Sequence, residues 1–385
     1  MKNKICNIII AVLFCACLFY FGIPSIQNAK FKYDENAGAK QNISVFETAF
    51  KENFEHRAEI VALHGYSQKL IGNDLVEDVA YGAMVRNDWG QITSTPEKSD
   101  LSALYEFVTR IDEQVREQGG ESLYIQAPFK ILPSYEKLPL GVKSYANENA
   151  DNLIKRLSDN GVSCFDLREV LVNSPLDKEK LFFKTDHHWT VDAAFYCYRQ
   201  LASSLDYIKD KEFLTDENNY TRHIMENSFL GSWGRRTGEE YSGLDDFAYF
   251  EPNFETDFYV INRASGVEEV HRQGTFQDIL MTKSWLEDTK EGKEGRYSLY
   301  LNGYTSEVLV ENRKSKNNKK VLIFHDSFGF PLSAFMCLSA KNTTIIDVRA
   351  AFDKNIPDYI EETKPDMVLF IFNPDEADFV GLKNM

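Results

Sequence analysis

Two short stretches of the sequence contain residues that can do covalent chemistry: KTDHHWT, residues 184–190, and VLIFHDSFG, residues 321–329. In the second, an apolar run of strand length is followed by Ser327 and Gly329. Ligands of open α/β sheets bind at the carboxyl edge of the strands, so a serine at this turn is well placed as a nucleophile. Backbone N–H groups at the start of the next helix can face a developing oxyanion there. Taken alone, however, a serine at a strand–helix turn is more often a helix cap.

The first stretch supplies what a nucleophilic serine needs. A serine requires a base to take its proton, and the base requires an acid to orient it. Asp186 and His188 lie two residues apart in a predicted loop before a helix, so both can face one site while His187 points elsewhere. The sequence therefore predicts a Ser327–His188–Asp186 triad, with Trp189 packed beside the imidazole, where it limits water.

A metal site is the alternative use of the same residues. Asp186, His187, His188, His325 and Asp326 include enough ligands for zinc, which takes about three protein ligands and a water molecule. Adjacent histidines seldom point at one ion, and a metal site would leave the serine without a role. We therefore favour the triad and predict neither a metal nor another cofactor. Without the serine motif, a helix N-terminus with buried histidines would be the preferred interpretation.

Residues near strand ends are candidates for substrate binding. Lys130 and Asn373 each follow a predicted strand, Arg349 follows the apolar run TTIIDV, and Trp189 adjoins the predicted base. The first three have ordinary alternatives, namely an exposed loop lysine, a turn-forming asparagine and a salt-bridged arginine. Trp233 in FLGSWGRR could act as a platform for stacking a sugar, although simple packing is commoner for tryptophan.

Helical and strand patterns alternate in the segments that carry both motifs. Residues 99–204 predict helix, strand, helix, strand and helix, and residues 320–372 predict three apolar strands separated by two helices. Strands that are apolar throughout and separated by helices indicate a parallel sheet covered on both faces. Residues 205–318 break this rhythm with aromatics, glycines and short alternating runs. The predicted fold class is therefore α/β with a β-rich insertion at about 205–318.

The N-terminus predicts a membrane segment. Residues 5–23 carry no charge and follow Lys2 and Lys4. About 19 apolar residues are enough to cross a bilayer as a helix, and no clean cleavage site follows. The sequence thus favours an uncleaved signal anchor, with the lysines in the cytoplasm and everything after residue 24 outside. A cleaved signal peptide and lipidation at Cys17 are the alternatives.

These patterns divide the chain into three parts: a signal anchor at 1–24, a stalk with helix and strand segments at 25–98, and a catalytic domain at 99–385. Within the second part, residues 45–72 predict an amphipathic helix. The formal net charge of −16 argues against nucleic acid as a partner, because binding phosphates requires a basic surface. The three cysteines outside the apolar segment are widely spaced, so we expect buried free thiols and no disulfide framework.

The paired motifs resemble those of the DHHW protein family, which is related to the alginate O-acetyltransferase proteins. In those relatives an Asp-x-His-Trp motif precedes a Gly-Asp-Ser motif, and here DHHW at 186–189 precedes HDSFG at 325–329. Weaker matches are ENFEHRAEI, VRNDWGQI, APFKILP, FLGSWGRR and IIDVRAAF, so the resemblance spans residues 45–373. It implies an SGNH-hydrolase-like core in which the Asp-His pair comes before the nucleophile, a permuted order. His325 departs from the pattern, because glycine is usual there.

This resemblance implies acyl-ester chemistry outside the membrane. The expected reaction is O-acetyl transfer to a cell-surface or exported polysaccharide through an acyl-Ser327 intermediate. Because no acetyl-coenzyme A is expected outside the cell, the resemblance also implies a membrane-bound O-acyltransferase partner that exports the acyl group. The N-terminal helix would keep this domain beside it in the cell membrane. A carbohydrate acetyl esterase with the same triad is one alternative, and a non-catalytic envelope scaffold or polysaccharide-binding protein is another.

Overall fold

In a computed structural model, the chain is described over residues 2–28, 38–52, 54–78, 82–135, 137–264, 267–301, 306–350 and 354–373. The strands, numbered in chain order, are β1 (Leu75–Asp78), β2 (Gly82–Arg86), β3 (Ile92–Ser94), β4 (Glu121–Gln126), β5 (Cys164–Asp166), β6 (Tyr220–Phe229), β7 (Asp245–Pro252), β8 (Phe258–Arg263), β9 (Val270–Gly274), β10 (Glu307–Asn312), β11 (Lys320–His325), β12 (Asn342–Asp347) and β13 (Met367–Phe372). The helices are α1 (Lys2–Asn28), α2 (Ala39–Glu52), α3 (Arg57–Leu70), α4 (Ser102–Glu117), α5 (Ala146–Asp159), α6 (Leu167–Val172), α7 (Val191–Ser204), α8 (Lys211–Leu214), α9 (Ser232–Thr237), α10 (Glu239–Ser242), α11 (Phe276–Ile279), α12 (Lys290–Gly295), α13 (Gly329–Met336) and α14 (Ile356–Thr363).

An eight-stranded sheet organises these elements in the order β5-β4-β13-β11-β12-β10-β8-β9. The five strands from β5 to β12 run parallel, and the last three are antiparallel to their neighbours. Every residue of β13 is buried, as are the last five residues of β11. These two central strands are the continuous apolar runs of the sequence, so the predicted α/β fold with a parallel sheet is confirmed.

Helices cover both faces of the parallel strands. On one face α4, α5 and α14 pack against the sheet, and Phe107 of α4 meets the rings of Phe324 and Phe370 edge-on at 5.2 and 6.1 Å. On the other face α6, α7 and α13 pack in a core that contains Ile323. Ile323 and Phe324 belong to different cores because successive side chains of a strand point to opposite faces. The ends of the central strands are therefore held between two packed layers.

The segment predicted as a β-rich insertion contributes part of the main sheet. β8, β9 and β10 extend the sheet beyond β12, whereas β6 and β7 form a separate two-stranded ribbon. Sequence reasoning missed the extension because β8 and β10 alternate between buried and partly exposed residues, unlike the continuously buried parallel strands. The segment is rich in strands as expected, but three of them belong to the central sheet.

The helix α1 is long and apolar enough to cross a membrane over Ile8–Asn28. A signal sequence has the same features at this position, so anchor and cleaved signal are both consistent with it. In the first part of the segment predicted as a stalk, α1 continues past residue 24 to Asn28, and α2 begins at Ala39. The single helix predicted over 45–72 is divided into α2 and α3, and His56 before α3 takes a left-handed conformation with φ of 57°.

Helix α3 docks closely on the α/β body through Gly65. A Cβ added to this glycine would lie 2.0 Å from the carbonyl oxygen of Thr237 in α9 and 3.0 Å from the Cβ of Tyr241 in α10. Lys69 adds a hydrogen bond to the Glu240 carbonyl oxygen at 2.9 Å. Helix α3 is therefore fixed to the body at a site where no side chain larger than that of glycine fits.

We expect Gly65→Ala to lower the free energy of unfolding by about 1–3 kcal/mol, the usual cost of overpacking, because the added methyl overlaps the backbone of α9. Gly38→Ala is the matched control, since no atom lies within 4 Å of its added Cβ. Thermal unfolding of the full-length protein in a maltoside detergent measures both variants. Equal midpoints would contradict the close contact between α3 and the body.

Candidate active site

Ser327, His188 and Asp186 form a continuous hydrogen-bonded relay. His188 Nε2 lies 2.7 Å from Ser327 Oγ, and His188 Nδ1 lies 2.5 Å from Asp186 Oδ1. The base and the serine are 139 positions apart in the chain, in the loop before α7 and after the end of β11. All three residues are buried, with exposed fractions of 4–6%. The structure brings the predicted triad residues together at distances suited to proton transfer.

A tight loop places the acid and the base side by side. Phe182 and Trp189 pair as an antiparallel bridge that closes the loop, and the Thr190 side chain then caps α7. Asp186 Oδ1 also accepts the backbone N–H of His188 at 3.1 Å. One carboxylate oxygen therefore orients both the backbone and the ring of the base.

The FLGSWGRR segment supports Asp186 from a second direction. Ser232, in the first turn of α9, donates its N–H to Asp186 Oδ2 at 2.7 Å. Gly231 approaches so closely that an added Cβ would lie 2.2 Å from the Asp186 Cβ. Sequence reasoning singled out this motif for its tryptophan and missed the role of its backbone. The glycines on either side of the Ser-Trp pair were the available signal.

Lys130 lies behind the DHHW loop, away from the cavity wall. Its ammonium group donates to the carbonyl oxygens of Ile92 and Phe183, each at 2.7 Å, and to that of Asp186. The same group lies 4.8 Å from the ring centroid of Trp233, and burial lowers the pKa of Lys130 to about 7. These contacts are those of a residue that positions the loop. Trp233 is 4% exposed, which agrees with the packing role that the sequence favoured over a sugar-stacking platform.

Asp245 on β7 holds the same loop through its backbone. Its carboxylate accepts the Lys184 N–H at 2.7 Å, the Thr185 N–H at 2.8 Å and the Thr185 hydroxyl at 2.7 Å. Thr185 Oγ1 in turn accepts the Gly231 N–H at 2.8 Å, which joins the loop to the start of α9. Burial raises the pKa of Asp245. Sequence analysis did not identify this residue.

The environment of Asp186 determines its ionisation. Burial acts to raise the pKa of its carboxyl, but the imidazoles of His187 and His188 and the N–H of Ser232 together hold that pKa well below its ordinary value. Asp186 is therefore a carboxylate at neutral pH. A carboxylate at this position can stabilise an imidazolium that forms at His188.

Aromatic rings enclose the imidazole of His188. Tyr297 stacks on it with the centroids 3.7 Å apart and the planes at 12°, and the ring of His187 lies 3.7 Å away at 37°. Trp189 is fully buried and donates its Nε1–H to the Tyr297 hydroxyl at 3.1 Å and to the Phe328 carbonyl oxygen at 3.2 Å. Trp189 therefore fixes the ring that covers the base, and its own indole is not in the cavity wall.

Of the five candidate metal ligands, three lie close together in the structure. The ligand atoms of Asp186, His187 and His188 lie within 4.8 Å of one another, but the two candidate ligands from the second motif are not in this group. Both ring nitrogens of His188 already contact other groups, Asp186 and Ser327. An ion on His188 would have to displace one of these partners, so the geometry favours the relay.

Asn373 joins the ends of two parallel strands. Its backbone N–H donates to Asp326 Oδ2 at 2.6 Å, and Asp326 Oδ1 accepts the Phe328 N–H at 2.9 Å. Its side-chain amide donates to the Pro128 carbonyl oxygen at 3.4 Å. Asn373 is 1% exposed. These bonds shape the turn that carries the serine, and the residue does not line the cavity.

A cavity of about 260 Å³ opens onto the relay, and Arg349 is the one predicted substrate-binding residue of the four that lines it. The Arg349 guanidinium bonds Asp347 at 2.9 and 2.7 Å and lies 5.7 Å from the ring centroid of Phe330. Besides Arg349, Phe330 and the three relay residues, the described wall contains His187, Phe229, Ser232, Arg235, Glu294, Gly295, Tyr297 and Ser298.

His325, the departure from the family pattern, packs beneath the turn that follows it. Its ring is buried, and a Cβ added to Gly329 would lie 2.4 Å from His325 Nδ1. Glycine is required at position 329 because any side chain there would overlap the histidine ring. Burial lowers the pKa of His325 to about 4.

Residues 88–235 match a family model described as the SGNH hydrolase-like domain of acetyltransferase AlgX. The match includes the DHHW loop and Ser232 and ends before Ser327. Together with the parallel sheet and its helices, it defines an SGNH hydrolase-like α/β domain.

Solved structures share this fold at low sequence identity. A DHHW family protein from Eubacterium siraeum superposes with a TM-score of 0.62 at 20% identity, covering 81% of this chain and 97% of its own. Bacillus cereus PatB1 with a sulfonyl adduct gives a TM-score of 0.62 at 22% identity, covering 78% of this chain and 97% of its own. A comparison with curated proteins gave no match. The predicted resemblance to DHHW and alginate O-acetyltransferase-related proteins is confirmed at the level of the domain and its fold.

We expect Gly231→Ala to lower kcat for ester hydrolysis by about 10²-fold, because the added methyl displaces the carboxylate that orients the base. Gly38→Ala is the control here as well, since no atom lies within 4 Å of its added Cβ. Steady-state kinetics measure the change, and thermal unfolding distinguishes a displaced acid from a lost fold. An unchanged kcat in Gly231→Ala would show that the position of Asp186 is unimportant.

Buried His325 should make the fold sensitive to acid. Its pKa of about 4 lies below the ordinary 6.5, so the unfolded chain binds more protons between these pH values. Stability is therefore full above pH 6.5 and falls as the pH falls towards 4, by at most about 3 kcal/mol. We expect His325→Asn to flatten this pH dependence in urea unfolding, whereas His64→Asn, at an exposed histidine, keeps it. The same slope in both variants would contradict the assignment.

Proposed function

We propose that this protein is an extracytoplasmic O-acyltransferase that places acetyl groups on a cell-surface or exported polysaccharide. The observation that carries the proposal is the relay from Ser327 through His188 to Asp186, which lines a cavity at a strand–helix turn. The match to an acetyltransferase domain supports acyl chemistry, and the solved structures contribute the likeness of the fold.

In the first half-reaction, Ser327 Oγ attacks the carbonyl carbon of an acyl donor while its proton passes to His188 Nε2. The carboxylate of Asp186 stabilises the imidazolium through Nδ1–H. When the tetrahedral intermediate collapses, the bond to the donor's alcohol breaks, and that alcohol leaves with the proton from Nε2. An acyl ester on Ser327 is left.

In the second half-reaction, an acceptor hydroxyl gives its proton to His188 Nε2 and attacks the acyl carbonyl. The ester bond to Ser327 then breaks, and the serine oxygen recovers the proton. A sugar hydroxyl yields an O-acetyl sugar, whereas water yields acetate. A carbohydrate acetyl esterase is therefore the alternative on the same residues.

The location and the partner are part of the same proposal. If Ile8–Asn28 spans the membrane with Lys2 and Lys4 on the cytoplasmic side, the α/β body lies outside the cell. The acyl donor must then be supplied at that side of the membrane. A membrane-bound O-acyltransferase that exports acetyl groups is the partner that meets this need, and α1 would keep the two proteins in one membrane.

The first test measures hydrolysis of p-nitrophenyl acetate by the full-length protein in a maltoside detergent. We expect Ser327→Ala and His188→Ala each to lower kcat by about 10³-fold or more, because each removes a member of the relay. Intact mass spectrometry should detect an acetyl adduct in the wild type and none in Ser327→Ala. Ser203→Ala, at an exposed serine of α7, is the matched control. Full activity in both relay variants would exclude the triad and favour a scaffold.

The same preparation separates transfer from hydrolysis when soluble oligosaccharides are added to the acetylated enzyme. O-acetylated sugar that increases with oligosaccharide concentration supports the transferase. Acetate as the single product at saturating oligosaccharide supports the esterase.

A further inference from the structure

A second and larger cavity adjoins the active-site cavity. It has a volume of about 540 Å³ and shares Arg235 and Glu294, among others, with the wall described above. The first turns of α3 form another side of it. We call this cavity the basic groove, after its cationic residues Arg57, Arg235, Arg236 and Lys290.

The basic groove concentrates positive charge in an acidic protein. Among the described residues, four cationic side chains line it with two carboxylates, Glu59 and Glu294, whereas the whole chain has a formal charge of −16. Arg235 lies 3.5 Å from Glu294, and the groove as a whole has an excess of cations. Arginine presents a planar fork of donors that matches two oxygens of an oxyanion, and it is the preferred side chain for binding phosphate.

The basic groove lies close to the end of the candidate membrane helix. Phe54, a residue of the groove wall, stacks on Phe21 of α1 with the ring centroids 6.5 Å apart. The next residue, Glu55, donates its N–H to Ser25 Oγ at 2.8 Å and accepts Asn28 Nδ2–H at 2.6 Å. A ligand in the groove would therefore lie near the point where α1 leaves the membrane.

The outer side of α3 also has the character of a membrane-facing surface. Ile60, Leu63, Tyr66 and Leu70 recur at helical spacing and are exposed, whereas Gly65 faces the body. An apolar stripe that begins beside the end of a membrane helix has the pattern of a helix lying on a bilayer surface. The wall of the groove that α3 provides is thus the part of the body nearest to the lipid.

We propose that the basic groove binds the phosphate group of an acceptor held at the membrane surface and so brings an acceptor hydroxyl to Ser327. The delivery of an acceptor hydroxyl to Ser327 rests on the acyl transfer proposed above. The binding of phosphate rests on the charge and position of the groove. The phosphate can belong to a lipid headgroup or to a phosphate-bearing polymer at the same surface. Both present the oxyanion that the arginine side chains match.

The test uses the full-length protein in a neutral maltoside detergent, with inorganic pyrophosphate as the probe and calorimetry as the readout. We expect Arg57→Gln/Arg236→Gln to weaken pyrophosphate binding by about tenfold or more, because two charge-assisted contacts are removed. The matched control is Arg313→Gln/Lys316→Gln, which removes the same charge from exposed positions in the loop after β10. This control should bind as the wild type does.

Equal affinities in the two double variants would overturn the proposal, because binding would then follow net charge alone. Dihexanoyl phosphatidylglycerol, with dihexanoyl phosphatidylcholine as its control, distinguishes the two sources. Displacement of pyrophosphate by phosphatidylglycerol supports a lipid headgroup, and binding without such displacement supports the phosphate of a polymer. Because binding is measured without an ester, a missing adduct on Ser327 refutes the acyl chemistry alone, and missing pyrophosphate binding refutes the groove alone.

Discussion

The buried negative charge of Asp186 imposes the strongest demand on the surrounding structure. A carboxylate taken out of water without partners costs several kcal/mol or more, so its oxygens must be hydrogen-bonded. They accept hydrogen bonds from the Ser232 N–H and from the backbone N–H and the ring Nδ1–H of His188. Lys130 and Asp245 hold the backbone around the carboxylate. Four chain segments distant in sequence therefore converge to keep one charge beside one imidazole.

The packing of two helices sets the gap between the proposed base, His188, and the proposed nucleophile, Ser327. The loop with His188 leads directly into α7, and Ser327 comes just before α13. These helices share one core, in which Phe195 of α7 and Phe335 of α13 meet with their ring centroids 5.1 Å apart. Closely packed cores resist small displacements. This contact and the sheet beneath it therefore fix the distance of 2.7 Å between His188 Nε2 and Ser327 Oγ. A site built on such elements is more precise than one built on loops alone.

Local patterns predicted the elements that carry the relay, whereas long-range contacts decided the residues around it. Helix α7 ends at Ser204, where the predicted alternation of helices and strands ended, and the apolar run before Ser327 is β11. Asp245 and Tyr297 act across 60 and 108 positions, and nothing nearby distinguishes one aspartate among 59 acidic residues or one tyrosine among 19. Lys130 was misjudged for the same reason, because the groups that bury it come from other segments.

In the proposed reaction, the choice between sugar and water is made at the acyl-serine stage, where the relay itself does not discriminate. A hydroxyl held in a reacting position can act with an effective concentration of about 10⁵ M or more, far above that of water, but only while binding holds it there. Tyr297 covers the imidazole, so the cavity is the approach that the described residues leave open. Its wall continues into the basic groove through Arg235 and Glu294. An acceptor bound across this boundary would occupy the path of water to Ser327. Transfer and hydrolysis can therefore use the same catalytic groups, and the difference between them is an acceptor that stays bound.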